Sequence, residues 1–483
     1  MRLPRFSAWW ALAGLALLLA LLAFARPLDH DESQYIAAAV LARGGLPYRD
    51  FAYLQTPLQP LLFAPLTALA GAWTFPVLRL VNAVLGAAAV AFVYAGARAA
   101  GASPRNAGTG AALFAACDAF LFSANVARND MLPALLLSAA LWLLLIDSEK
   151  RRVTAGRALA IGLLLSAATA TKLSYALPAL AVGGLALIDR RYRPAWLVLG
   201  ALPPALLVAW TWHQAPDAFA FDVLRFPTAA PEQFYAVSNP WKLTALGRVI
   251  DVLKFLALGP ALLALVIVAR DRRRGRAVLL LDLLILAGLI AAILPAPTWR
   301  QYLLPALPPL FVRLALAIEA GRPRRGVRIA GVIFVAAGLA PSLAMLGASA
   351  ATGLPLLTAI EHGRALRAAL GDAHINGRVA TLSPQFIAAT DAAIDPRFAA
   401  GPFYFRSAGL ADPGSAAAFR LVDRTAWPEA LSADPPAALL VGGEGAWTSG
   451  DPALDEAFAA AARSRGWRET TVPGTPFRLY RTP

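Results

Sequence analysis

SAWWALAGLALLLALLAFARPLDHDESQYIAAAVLARGG, residues 7–45, decides how this chain folds. Its first half, Ser7 to Ala25, carries no charge and approaches the about 20 apolar residues that cross about 30 Å of hydrocarbon as a helix. Asp29-His30-Asp31-Glu32 then stand where a chain leaving a membrane meets water. Ser33 to Arg43 consists of helix-forming residues, and Gly44-Gly45 supplies the stop. Long apolar runs recur across the first 350 residues of the 483, and the composition is 58% hydrophobic and 15% charged, with mean hydropathy +0.58. One or two soluble cores could not bury that much apolar surface, so the expected class is a polytopic α-helical membrane protein.

Net charge is +15, but the basic residues do not gather in one folded unit with interleaved aromatics, which argues against a nucleic-acid partner. They form short clusters between apolar runs: Lys150-Arg151-Arg152, Arg190-Arg191, Arg270 with Arg272-Arg273-Arg274, and Arg322 with Arg324-Arg325. The ambiguous segment is Leu58 to Trp73, which is short and contains Pro60 and Pro65. If it lies in the interface, crossings at 7–25, 75–97, 106–126, 130–147, 157–171, 174–189, 194–212, 248–269, 277–295, 302–320 and 327–349 place every basic cluster inside. If it spans, every cluster lands outside. The positive-inside rule therefore predicts about eleven transmembrane helices, with interfacial helices in the first exported loop. Arg2, Arg5 and Ala23-Phe24-Ala25 imitate a signal peptide, but the apolar run exceeds the roughly 7–15 residues of a signal h-region. The single cysteine, Cys117, lies in an apolar run and offers neither a disulfide framework nor a thiolate metal site.

An odd number of spans puts residues 355–483 on the same face as the acidic cluster, and the division expected is a membrane domain over 1–350 followed by a small exported α/β domain. Arg128-Asn129-Asp130, Lys172 with Ser174-Tyr175, and Arg300-Gln301-Tyr302 also fall on that face. Ionisable residues at a membrane boundary are functional candidates by default. Asp31 has a structural alternative as the N-cap of the following helix, with Gln34 completing a capping box. Asp130 could likewise cap the span that begins at Met131, and Lys172 and Arg300 could be snorkelling anchors. Two carboxylates facing two or three cations nevertheless suit a site that activates a hydroxyl or amine and stabilises an anionic leaving group such as phosphate.

The segment DHDESQYIAAAVLARGGLPYRDFAYLQTPLQPLLF resembles the first exported loop of the GT-C class of integral-membrane glycosyltransferases. The likeness is to the group holding aminoarabinose transferase, protein O-mannosyltransferases and Rhizobium core glycosyltransferases. The Arg-Asn-Asp ending at Asp130, Thr171-Lys172 leading to Leu177-Pro178, and Arg300-Gln301-Tyr302-Leu303-Leu304-Pro305 follow in the order the family shows. The resemblance covers about residues 1–350. It implies transfer of a sugar from a polyprenyl-phosphate carrier to a lipid, glycan or protein acceptor on the periplasmic face of a bacterial inner membrane. Asp31 would then activate the acceptor, with Glu32 and Asp130 as supporting acids. Lys172, Arg300 and Tyr302 would hold the donor phosphate, and Tyr35, Gln55, Arg128 and Tyr175 would bind substrate. The resemblance requires no cofactor, but some distant relatives bind a divalent metal through their acids; here His30 or His213 with Asp31 and Asp130 could supply ligands. Where relatives often carry Lys or His before a double proline, this chain reads Gln55-Thr56-Pro57-Leu58.

In the tail, Leu357 to Leu370 and Pro452 to Arg465 read as helices, and Arg378 to Leu382, Ala437 to Val441 and Phe477 to Arg481 as strands. Gly442-Gly443-Glu444-Gly445 lacks the spacing of a phosphate loop and reads as a turn. Two other classes remain open at this point. A transporter or flippase for a lipid-linked or anionic substrate would place its charges near the midplane on broken, repeated helices, and an inactive scaffold would keep the loop by descent alone.

Overall fold

In the computed structural model, residues 5–146, 148, 152–321 and 324–482 are described, so Lys150, Arg151 and Arg322 of the basic clusters lie outside the described residues. Every segment expected to cross is helical. They are α1 (Arg5–Ala25), preceding α2 (Glu32–Leu41) and α3 (Leu58–Ala70) of the acidic loop, then α4 (Thr74–Ala99), α5 (Pro104–Ala115) with α6 (Asp118–Ala124), α7 (Met131–Leu145), α8 (Ala155–Thr171), α9 (Ala176–Ile188) and α10 (Pro194–Gln214). After α11 (Pro216–Ala220) and α12 (Phe226–Ser238) come α13 (Ala245–Ala257) with α14 (Ala261–Arg270), α15 (Arg276–Ile293), α16 (Leu307–Ala320) and α17 (Arg325–Thr352). Among the described residues, 4 helices are long and apolar enough to cross a membrane, or up to 6 if each bent pair is one span, and four further apolar helices have 10–17 residues.

Two expected straight spans are bent. The segment 106–126 breaks by 69° between α5 and α6, and 248–269 by 98° between α13 and α14. The two breaks touch each other. Gly259, at φ +138, lies so close to Cys117 that a Cβ on it would stand 2.8 Å from the Cys117 Cα, and the Asp118 N–H donates to the Leu258 carbonyl at 3.0 Å. Gly338 of α17 approaches the same corner, where a Cβ would fall 2.1 Å from the Ala116 carbonyl. This junction sets the start of α6, and so places Asp118 and Phe122 at the helix ends.

After α18 (Pro355–Asp372), the C-terminal region forms a five-stranded sheet in the order β2-β1-β3-β5-β4. The strands are β1 (Arg378–Ala380), β2 (Ala393–Ile394), β3 (Ala438–Val441), β4 (Arg468–Thr471) and β5 (Arg478–Arg481). β2, β1 and β3 run parallel, and β5 is antiparallel to both β3 and β4. The sequence did not announce β2, which has two residues, or β4, which is exposed along its length and shows no alternation. One side of the sheet packs on Phe398, Trp427 and Phe458, with the last two rings stacked at 4.7 Å. The region docks onto α2 through two apolar clusters, one joining Ile36 and Ala37 to Leu356, Phe386 and Ile387, the other Tyr35 and Ala38 to Ala399. Contact is closest at Gly401, at φ +61, where a Cβ would lie 2.3 Å from Ser33 Oγ. A side chain at that position would collide with Ser33 and crowd the Leu382 carbonyl, on top of the strain of its positive φ.

Candidate active site

Helix ends from both halves of the chain surround a cavity of about 710 Å³ lined by Asp29, His30, Asp31, Tyr35, Gln55 and Arg128, by the segment 295–302, by α12, and by residues of the C-terminal region. The acidic loop is shaped by its own carboxylates. Asp29 Oδ1 accepts the Asp31 N–H at 2.9 Å, and Glu32 Oε2 accepts the Asp29 N–H at 3.0 Å. Only the return half of a capping box is present, from Glu32 back to Asp29, whose own carboxylate takes the Asp31 N–H instead of that of Glu32; the expected box from Asp31 to Gln34 does not form. The Asp31 side chain makes no capping bond at all, which leaves it free to face the cavity.

Glu32 does not face that cavity. Its side chain is fully buried against Arg79, which donates from Nε at 2.8 Å and Nη2 at 2.5 Å, and the Ala127 N–H adds a third donor at 2.6 Å. Arg79 also donates to the carbonyls of Ala23 and Arg26 at 2.9 Å each and of Pro27 at 3.1 Å, satisfying the open C-terminal end of α1. The pair therefore ties α1, α4 and the acidic loop together beneath the site. The sequence signal for it is Arg79 itself, one of two arginines in the apolar run 74–99 and the one set away from its C-terminal end, where Arg98 lies.

Arg128 is the hub above that layer. Its Nη1 pairs with Asp31 and, at 3.3 Å, with Asp29; its Nε lies 3.2 Å from Asp130. Its backbone carbonyl is held by Asn82 Nδ2 at 2.9 Å and Gln59 Nε2 at 3.1 Å, and its guanidinium lies over the rings of Tyr35 and Phe122. Asp130 caps no backbone N–H and pairs instead with Lys172, whose Nζ is 5.1 Å from the Tyr302 ring centre. Neither Asp130 nor Lys172 lines the cavity, and Tyr175 is buried away from it. Arg300 and Tyr302 do line it; Arg300 is no snorkelling anchor, because Nη1 is 2.8 Å from the buried Asp118 and its guanidinium sits 4.0 Å over Phe122. Gln55 lines the cavity within 3.4 Å of Asn129 Nδ2.

Burial and the adjacent Asp31 push the Asp29 carboxyl above its ordinary range, against the pull of Arg128. Burial acts to raise Asp31 as well, but Arg128, His30 and Arg406 outweigh it and hold Asp31 below that range. Asp31 is thus the more readily ionised member of the pair, and Asp29, to which the sequence assigned no role, is the one that takes a proton more readily.

The metal ligands expected from sequence, His30 or His213 with Asp31 and Asp130, do not form one group. Among the described residues the group that could share an ion is Asp29, His30 and Asp31, with ligand atoms within 4.8 Å of one another. His213 is exposed at the end of α10 and does not join them. His30 Nδ1 faces the Ser449 carbonyl at 2.8 Å and Nε2 faces Asp31 at 3.2 Å, while the Arg128 guanidinium occupies both carboxylates. A divalent cation would have to displace that guanidinium, so the trio does not fit a resident metal as it stands.

The C-terminal region adds residues that sequence reasoning had no basis to single out. Glu444, 1% exposed, lines the cavity and accepts the Ser383 hydroxyl at 2.8 Å, and Asp455 accepts the N–H groups of Gly442 and Glu444. Burial pushes Glu444 up to about 8 and Asp455 up to about 6. A raised carboxyl stabilises the fold fully below its ordinary value, here 4.5 and 3.8, and that contribution is lost as pH climbs through about 6 and about 8. Stability, read as melting temperature, should therefore fall between about pH 4 and about pH 8, with on the order of 2–4 kcal/mol of the loss from Glu444. Glu444→Gln should flatten the fall, and a variant that kept the wild-type slope would show that Glu444 is not its source.

No family model and no curated protein matches the chain. Among solved structures, ArnT from Cupriavidus metallidurans bound to undecaprenyl phosphate superposes with a TM-score of 0.64 at 15% identity, over 99% of this chain and 98% of that one. The apo state of the same protein matches with a TM-score of 0.64 at 15% identity, covering 98% of each chain. At that identity the likeness establishes the fold: a mostly helical membrane-type body carrying a small C-terminal mixed sheet, the architecture implied by the resemblance of the acidic loop.

Proposed function

We propose that this chain is a glycosyltransferase that moves a sugar from a polyprenyl-phosphate carrier to a lipid, glycan or protein acceptor. The observation that carries the reading is the placement of Asp31, uncommitted to capping, in a cavity that also receives Arg128 and Arg300 at the ends of apolar helices. On this reading the eleven helical segments cross a bacterial inner membrane, and α3 lies at its periplasmic surface. Leu58–Ala99 is 42 residues long, about twice what one crossing needs, which suits an interfacial α3 followed by a spanning α4. The periplasmic face would then hold both the site and the C-terminal domain.

Asp31 orients the acceptor hydroxyl or amine and accepts its proton as the acceptor attacks the anomeric carbon. The bond from that carbon to the phosphate oxygen breaks, and the electron pair leaves on a lipid phosphate that is already a weak base. Arg300 neutralises it, and Tyr302 borders it. Arg128 keeps Asp31 ionised and aimed, and Asp29 lies beside it as the more readily protonated acid. Tyr35 and Gln55 line the substrate space. Asp130 and Lys172 act through Arg128 and Tyr302, and Glu32 acts through Arg79, so these are positioning residues. Charges at helix ends rather than at the midplane favour transfer over transport.

Mass spectrometry of lipid-linked sugars and envelope glycans in a strain lacking the gene tests the reading. The donor lipid should accumulate and one decoration should be missing; no change in either would refute it.

A further inference from the structure

The cations of the cavity are not equivalent. Arg128 and Arg300 are held by carboxylates, and Arg26 reaches Ser342 Oγ at 3.4 Å. Arg406, at the end of the short helix Pro402–Phe405, lines the same cavity, and its guanidinium makes no hydrogen bond or ion pair among the described residues. Two rings position it, Phe234 of α12 and Phe403, each with its centre 4.9 Å from the guanidinium carbon. Aromatic contact with the faces of the group leaves its N–H edge open. Burial lowers the pKa of Arg406, while Asp31, Tyr235, Glu444 and Asp451 act at longer range to raise it. This is a half-buried cation held between two rings, with no carboxylate within ion-pair distance among the described residues.

A planar fork of N–H donors with that freedom matches phosphate oxygens bidentately. We propose that Arg406 is a substrate-binding residue which the C-terminal region contributes to the cavity, its guanidinium taking the oxygens of a phosphate group on one of the two substrates. The inference rests on the glycosyltransferase reading and deepens it, since it makes the C-terminal region a wall of the site rather than a cover. The close seating of Gly401 on Ser33 fixes that wall, five residues before Arg406.

Full-length wild type, Arg406→Gln and Arg406→Lys, reconstituted in lipid nanodiscs, would be titrated with undecaprenyl phosphate and expressed in a strain lacking the gene. If the phosphate is the donor's, Arg406→Gln should weaken undecaprenyl phosphate binding about tenfold or more, and Arg406→Lys should recover part of it. If it is the acceptor's, binding stays unchanged in Arg406→Gln while the decoration is lost, donor lipid accumulates, and Arg406→Lys restores part of the decoration. Either result supports an anion site at Arg406 and says whose anion it takes. Unchanged binding together with unchanged decoration overturns the inference and leaves the parent reading intact. Equal losses in both variants accompanied by a lowered melting temperature also overturn it, because the residue is then only structural. A wild type that neither binds the lipid nor supports a decoration overturns the parent reading, and this inference with it.

Discussion

Replacing Asp31 by Asn is expected to lower sugar transfer by about 10²–10⁴-fold while leaving the melting temperature and undecaprenyl phosphate binding close to wild type. The side chain is the one carboxylate of the acidic loop that makes no capping bond and lines the cavity. Arg128, His30 and Arg406 keep it ionised in spite of its burial, so the charge is present at neutral pH without an external base. Asparagine keeps the shape and loses both the charge and the capacity to accept a proton. Arg128 still has Asp29 and Asp130 as partners in that variant, which is why the fold should survive. Steady-state transfer measured beside thermal unfolding checks the claim. Wild-type turnover in Asp31→Asn would remove Asp31 from the chemistry and move the search to Asp29, the acid that shares its guanidinium.

The second large effect is on stability. Glu32→Gln should destabilise the folded chain by about 3–5 kcal/mol, because it leaves the guanidinium of Arg79 buried without a counter-charge. Both side chains are 0% exposed, and neither lines the cavity. The loss would reach beyond the pair, since Arg79 also satisfies three carbonyls at the end of α1 and Glu32 anchors Asp29 and Ala127 through their N–H groups. Activity in Glu32→Gln should fall in step with the fraction of folded protein, whereas in Asp31→Asn it should fall without unfolding. Thermal unfolding in detergent separates the two cases. A Glu32→Gln chain that melted like wild type but failed to transfer sugar would place Glu32 in the chemistry after all.

These two neighbours show where sequence reading stops. The hydropathy of the chain located every segment expected to cross, because a helix that must lie in hydrocarbon is apolar around its whole circumference and that property is local, but it did not locate α12, which lines the cavity. The same reading located the acidic cluster, and the ordered resemblance brought Asp130, Lys172 and Arg300 beside it. It favoured Asp31 for the chemistry but kept Glu32 beside it as a supporting acid, since the two are adjacent at the start of the same helix. The structure separates them through Arg79, 47 residues from Glu32, which buries that carboxylate, and Arg128, 97 residues from Asp31, which pairs with Asp31, Asp29 and Asp130.

The bends at Cys117 and Gly259 were equally hidden. Only one of them carries a glycine at positive φ, and each is stabilised by the other across the bundle. Arg406 and Glu444 join the site because the C-terminal region folds back onto α2 at Gly401, a contact that no local pattern encodes. By itself, then, the sequence determined the class of the chain, the positions of its apolar helices and the stretch that carries the chemistry, all of which follow from short-range patterns of polarity. The tertiary structure alone decided which of Asp31 and Glu32 faces the cavity and which of the cavity's arginines are held by carboxylates, because charge pairing in a buried site depends on partners far apart in the chain.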